Sequence, residues 1–230
     1  MWLDGAEVAA EVRALRPDYA ALLIVAEGLR PGPSDQASDA FLTEAEDRTR
    51  KHMGGARPEE LPQVAEWREA FRAFGAKPQR TRPSVEALLR RVEPGLPRID
   101  RITDAYNAVS VGCLLPVGGE DLDRYAGPAR LVRAAGDEDF ETTADGQPAV
   151  EHPEPGEVIW RDDRGVTCRR WNWRQCARTR ITFSTTRAMF VLDGLATLGA
   201  GGLRAAEAEL TASLARLSPG AAFTSRLLSP

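Results

Sequence analysis

The chain has 230 residues, of which 43% are hydrophobic and 28% charged, enough to bury a sizeable core and too apolar for a disordered segment. No window approaches the roughly 18 uninterrupted apolar residues of a membrane helix, and Met1-Trp2-Leu3-Asp4-Gly5 lacks the basic-then-apolar order of a secretory leader, so a cytoplasmic protein with no membrane partner is expected. Three cysteines, Cys113, Cys168 and Cys176, are odd in number and form no Cys-x-x-Cys, which argues against a disulfide framework or a thiolate metal site.

The charges, 30 Lys+Arg against 34 Asp+Glu, are unevenly placed. From Gly118 to Ile159 there are eleven acids and three arginines, whereas Arg161 to Arg187 holds eight arginines and two aspartates. A second basic block runs from Arg68 to Arg91. Two basic segments converging on one face would suit phosphate, although arginines in an arginine-rich chain can equally be solvated. The acidic sequence pI of 5.4 speaks against indiscriminate nucleic-acid binding, and no DNA partner is expected.

In chain order, Ala20 to Ala26 is an apolar run of strand length, ended by Gly28 and the Pro31-Gly32-Pro33 breaker. Ser34 to Met53 reads as a helix closed by Gly54-Gly55, and Pro58 to Phe74 as another, with Trp67, Ala70, Phe71 and Phe74 on its core face. Ser84 caps a helix up to Arg91, Pro94-Gly95-Leu96-Pro97 breaks it, and a further helix spans about Ile99 to Leu114. Beyond Leu115, strands are expected at Ala129 to Ala134, in a hairpin of Glu157 to Trp160 with Val166 to Arg169, at Ile181 to Phe183, and at Ala188 to Leu192. Gly199-Ala200-Gly201-Gly202 reads as a loop, and Leu203 to Leu217 as an amphipathic helix closing the chain. Helices in the first half and a strand-rich second half predict an α+β fold.

Standard catalytic constellations find little support. His52 and His152 are a hundred residues apart, neither at metal-ligand spacing nor near a Gly-x-Ser-x-Gly elbow, so no metal and no cofactor are expected and a nucleophilic triad is unsupported. What stands out is Cys168-Arg169-Arg170-Trp171-Asn172-Trp173-Arg174-Gln175, where flat aromatic surfaces alternate with hydrogen-bonding groups.

An ordered set of segments then carries a resemblance: Phe71-Arg72-Ala73-Phe74-Gly75-Ala76-Lys77-Pro78, Arg82-Pro83-Ser84 to Arg91, Asp104-Ala105-Tyr106-Asn107-Ala108-Val109-Ser110, Leu115-Pro116-Val117-Gly118, Pro155-Gly156-Glu157-Val158 and Trp171-Asn172-Trp173-Arg174. The chain resembles the freestanding B3/B4 family, similar to the editing module of the phenylalanyl-tRNA synthetase β subunit. The likeness is clearest over residues 67–195 of one expected domain, 1–230, with 1–66 a family-specific N-terminal part and 196–230 a C-terminal helix.

The resemblance implies a B3/B4-like α+β editing-module fold, whose pocket admits a wrongly attached amino acid on a tRNA 3′ end and hydrolyses the ester without metal, largely by positioning. It implies that Asn107 holds the amino-acid moiety and is the catalytic candidate. Tyr106, Gly118, Trp171 and Asp193 would complete the substrate site. Gly118 stands where the synthetase has a histidine, Tyr106 where it has threonine, and Asp193 where a glutamate reads the side-chain hydroxyl. Trp171 lies near a glycine of the pocket floor, so a smaller pocket of different specificity is expected. Arg80, Arg82, Arg169, Arg170 and Arg174 are the candidate contacts to tRNA. Three functions remain open: a hydrolase of mischarged aminoacyl-tRNA, a noncatalytic module binding tRNA or an amino acid, and an enzyme acting on a small amino-acid derivative.

Overall fold

Strands and helices alternate more than the composition suggests. In the computed structural model, which describes residues 2–229, the chain runs β1 (Glu7–Val8), α1 (Ala10–Leu15), β2 (Ala20–Glu27), α2 (Gln36–Met53), α3 (Pro62–Ala73), α4 (Ser84–Leu89), α5 (Arg101–Cys113) and β3 (Val117–Asp121). It continues through β4 (Arg130–Arg133), β5 (Phe140–Ala144), β6 (Gln147–Glu151), β7 (Val158–Arg161), β8 (Val166–Arg169), β9 (Arg174–Gln175), β10 (Arg187–Gly194), α6 (Gly199–Leu217) and β11 (Ala222–Leu228). The class is α+β.

The apolar run of β2 lies second in a four-stranded sheet of order β11-β2-β10-β3, antiparallel throughout. Its seven residues from Ala20 to Ala26 are all buried, which explains a continuous hydrophobic run in place of alternation. Helices α5 and α6 pack on this sheet and on each other, with α2 against α5. Local chemistry sets their ends. Asp35 accepts from Ala37 N–H and Ser38 N–H while Ser38 Oγ accepts from Asp35 N–H, a reciprocal cap that starts α2 two residues past Ser34. Asp100 caps α5 through Ile102 N–H and Thr103 N–H.

A second sheet, β1-β4-β7-β8-β9, contains the expected hairpin as β7 and β8. A separate β5-β6 hairpin turns at Asp145-Gly146, both with positive φ as a two-residue hairpin turn requires. One buried cluster joins Trp67, Phe71 and Leu89 to the strands of the four-stranded sheet, and a smaller one holds Ala134, Phe140, Ile159, Val166 and Cys176.

Several expectations are corrected. The helix begun at Pro58 is a short 3-10 turn, Pro58–Glu60, that breaks at Leu61 before α3, because Leu61 is extended and Pro62 starts a new first turn. Ile181 to Phe183 is not a strand: only Arg180 bridges to Glu120, and Thr185 Oγ1 accepts from Thr182 N–H to fold the segment back. Gly199 to Gly202 is not a loop but the first turn of α6, and the chain closes on β11, not on a helix.

The opposed charge blocks are partners. Arg169 pairs with Glu157 and Glu151, Arg174 with Glu151, Arg178 with Asp162 and Glu141, and Arg164 with Glu141. Much of the basic segment Arg161 to Arg187 is therefore paired within the protein.

Candidate functional site

Where β3 and β10 run side by side, their facing residues open onto a cavity of about 310 Å³, closed on its other sides by α4, α5 and the β8–β9 turn. Tyr106, Asn107, Gly118, Trp171 and Asp193 all line it. Strand β3, Val117-Gly118-Gly119-Glu120-Asp121, is glycine-rich and acidic and reads as loop; β10 gives it a ladder. Gly119 is required there, since a Cβ would lie 2.8 Å from both Ile181 and Tyr106. At Gly118 a Cβ would meet Gln175 Nε2 at 3.0 Å, so the side chain of Gln175, which donates to Gly119 O, occupies the space beside that position.

Asn107, on α5, is 6% exposed, and among the described residues its amide has no hydrogen-bond partner. A buried amide left open in a cavity is available to a ligand. Asp193, at the end of β10, is 2% exposed and accepts hydrogen bonds from Tyr19 Oη at 2.6 Å and Asn172 Nδ2 at 3.3 Å. Burial pushes its carboxyl up to about 7, against the opposing pull of those two donors. A second carboxylate, Glu120, 3% exposed, lines the same cavity and is likewise pushed up to about 7 by burial, although Tyr125 Oη donates to it.

The wall opposite is built by a strained turn. Arg170 and Trp171 both adopt left-handed backbone, φ 47° and 67°, which non-glycine residues enter only when their surroundings enforce it. Here Arg170 N–H donates to Glu157 Oε1, Trp171 N–H to Val158 O and Asn172 N–H to Arg170 O. The fully buried Trp171 ring packs edge-on against Tyr19 and Trp67, with centroids 4.9 and 5.5 Å away. The aromatic face of α3 thus reaches the cavity through Trp171. Cys168 also lines it, and burial raises its thiol well above the ordinary range, contrary to any activation by the neighbouring arginines.

The tRNA-contact candidates separate by environment. Arg169 is 5% exposed, and three of its five guanidinium N–H groups go to Glu157 and Glu151. Arg170 and Arg174 stack over Trp173, and Arg174 also pairs with Glu151. Arg80 and Arg82, with Arg90 and Arg91, line a smaller basic recess that shares Ala87, Arg91 and Trp173 with the main cavity. Arg80 and Arg91 are exposed and have no acidic partner among the described residues, while Arg82 and Arg90 lean on the buried Glu86. Sequence reasoning missed Arg91, Glu120, Tyr19 and Asn172 as parts of this region; only the polar-aromatic stretch around Trp171 signalled the last. His52 and His152 are exposed and lie outside the cavity. Among the described residues no cluster of His, Cys, Asp and Glu could hold a metal ion, and no helix is long and apolar enough to cross a membrane.

No curated protein sequence matches the chain. Among solved structures, an N-terminal fragment of the phenylalanyl-tRNA synthetase β subunit from Pyrococcus horikoshii is similar, at 12% identity and a TM-score of 0.48. The alignment covers 95% of this chain and 49% of that one, so this chain spans about half its length. The profile of the B3/4 domain matches residues 66–199. That segment is more than half of the protein and contains every residue lining the cavity: the chain belongs to the B3/4 domain family.

Proposed function

We propose that the protein is a stand-alone hydrolase that removes the amino acid from a mischarged or non-protein aminoacyl-tRNA. The observation that carries this reading is the composition of the cavity: an unpartnered Asn107 amide and a buried Asp193 inside, and unpaired Arg80 and Arg91 in the basic recess at its edge. An acceptor end would lay its phosphates against Arg80, Arg82 and Arg91 and its esterified amino acid in the cavity. Asn107 would orient the ester, Asp193 would read the far end, and Tyr106, Gly118 and Trp171 would shape the space between. Water adds to the ester carbonyl, the bond to the ribose oxygen breaks, and a free amino acid and a free terminal hydroxyl result. Catalysis of this kind rests on positioning.

Incubation with tRNA charged by a panel of amino acids, following ester loss, tests the reading. Turnover of at least one charged tRNA, lowered for every substrate by Asn107→Ala, is the expected result. Absence of ester loss across the panel refutes it. Arg80→Ala and Arg91→Ala should weaken tRNA binding, each reducing the salt slope by about 1; an unchanged slope in both would remove the recess from the interface. A second reading, a noncatalytic module holding an aminoacyl group or acceptor end, is favoured by the absence of any histidine from the cavity. It predicts tRNA affinity with no turnover.

A further inference from the structure

Among the described residues, every buried carboxyl but two accepts from an arginine or a backbone N–H. Arg68 donates to Glu86, Arg169 to Glu157 and Arg178 to Asp162; backbone N–H groups serve Glu46, Asp100, Asp104, Asp121 and Glu138. Such contacts favour a charged carboxylate and account for it as part of the scaffold. The two exceptions, Glu120 and Asp193, both line the cavity. Asp193 takes a hydrogen bond on each oxygen, whereas Glu120 takes one, from the Tyr125 hydroxyl to Oε2. Glu120 Oε1 therefore keeps acceptor capacity for a ligand or a water.

The fold sets this carboxyl beside the place where the ester would lie. Gly118 and Glu120 leave β3 on one face, and at Gly118 that face meets Gln175, another residue of the cavity wall. Opposite, the β7–β8 ladder slips: Trp160 pairs with Cys168 and Arg161 with Val166, so Thr167 is an extra residue in a bulge, its Oγ1 3.1 Å from the Tyr125 phenol oxygen. From the α5 side, Tyr106 touches β3 next to Glu120, since a Cβ on Gly119 would lie 2.8 Å from its ring. The helix turn that carries Asn107 is thus seated against the strand segment that carries Glu120. An ester cleaved by water needs a group that accepts a proton and gives it back. The Asn107 amide cannot do this, no histidine lines the cavity, and burial raises the Cys168 thiol out of range.

We propose that Glu120 is the general base of the cavity, acting on the water that attacks the aminoacyl ester. The inference rests on the proposed hydrolase and assigns its proton transfer. Glu120 takes a proton from the water as the water oxygen bonds to the ester carbonyl carbon. When that intermediate collapses and the bond from carbon to the ribose oxygen breaks, the same proton passes to the ribose oxygen. The carboxylate is regenerated, and water is the sole co-reactant.

The test is the pH profile of single-turnover ester loss from charged tRNA, corrected for uncatalysed loss. Burial pushes the Glu120 carboxyl up to about 7, so the rate should climb with pH through that value and then level off. The groups around Glu120 do not set such a limb. Burial raises the Tyr106 and Tyr125 phenols and the Cys168 and Cys176 thiols, so all stay protonated. Against the cost of burial, Arg178 holds Asp162 below the usual range, β10 presents Met189, and the Arg180 side chain is exposed. Asp193, also pushed up to about 7 by burial, is the one rival in the cavity. Glu120→Gln should lower the plateau at least about a hundredfold and abolish the limb, whereas Asp193→Asn should keep the limb whatever it does to the rate. Tyr125→Phe should move the limb to higher pH, because the phenol's hydrogen bond favours the ionised carboxyl. A limb that survives in folded Glu120→Gln, or turnover there within a few-fold of wild type, overturns the base and leaves the hydrolase standing. If Glu120→Gln does not fold, an unmoved limb in Tyr125→Phe overturns it. No ester loss by the wild type at any pH overturns both.

Discussion

Tyr19 and Asp193 are 174 residues apart in sequence, yet the phenol is the nearest hydrogen-bond donor to the cavity's carboxylate. Residues of this kind are invisible to pattern reading: Tyr19 sits before an apolar strand and looks like ordinary core. Asn107 and Asp193 were legible through a family resemblance, and Trp171 through its unusual neighbours, but the contact of Asn172 with Asp193 depends on a left-handed turn that no local pattern announces. The two raised carboxyls have a measurable consequence. Glu120 in the folded protein holds its proton up to about 7, whereas its ordinary value is 4.5. Between those values the folded state binds more protons than the unfolded one, so this group's contribution to stability falls as pH rises through that window and is flat above it. Glu120→Gln removes the dependence. Thermal melts of both proteins at pH 5 and pH 8 should show the variant gaining on the wild type at the higher pH; an equal difference at both would show that Glu120 ionises normally.

At the scale of elements, the strand β8 carries its charge inward. Arg169 and Glu157, 5% and 3% exposed, form a two-pronged pair, and removing Arg169 leaves the buried Glu157 only the Arg170 N–H and the Arg170 guanidinium 3.5 Å away. Arg169→Ala should therefore destabilise by about 3–5 kcal/mol, seen as a lowered denaturation midpoint, while any tRNA salt slope stays as in the wild type. A slope that flattens without loss of stability would return Arg169 to the interface. Strand β11 offers a second test. It covers one edge of β2, whose apolar residues would otherwise present an unpaired backbone to other chains, and Arg226 on it donates to Leu3 O and Ala6 O. Truncation after Ser218 should yield aggregated protein by light scattering; a soluble monomer would show that the edge needs no cover. The expected helix at the C-terminus hid this strand, because Ala222-Phe223-Thr224-Ser225-Arg226 is half polar and reads as a tail. Helices α2 and α5 were legible because their caps are local, whereas β3 and β11 are strands only by virtue of distant partners.

Across the whole molecule, the buried cluster that holds Trp67, Phe71 and Leu89 also holds the strands of the four-stranded sheet. The break at Glu93-Pro94-Gly95 should therefore not separate two folding units. A single unfolding transition is expected in denaturant, coincident by fluorescence and circular dichroism, and two independently folded proteolytic halves meeting at that break would contradict it. The pairing of β2 with β10 sets a further condition on how this protein comes into being. Arg187 bonds Glu27 at a sequence separation of 160, and β11 joins the other edge of β2 later still. On a ribosome that adds roughly 5–20 residues per second, the apolar segment Ala20–Ala26 waits roughly 10–40 s for both of its neighbours. Until β11 clears the exit tunnel the sheet cannot close, so throughout that interval the nascent chain depends on whatever shields apolar strands.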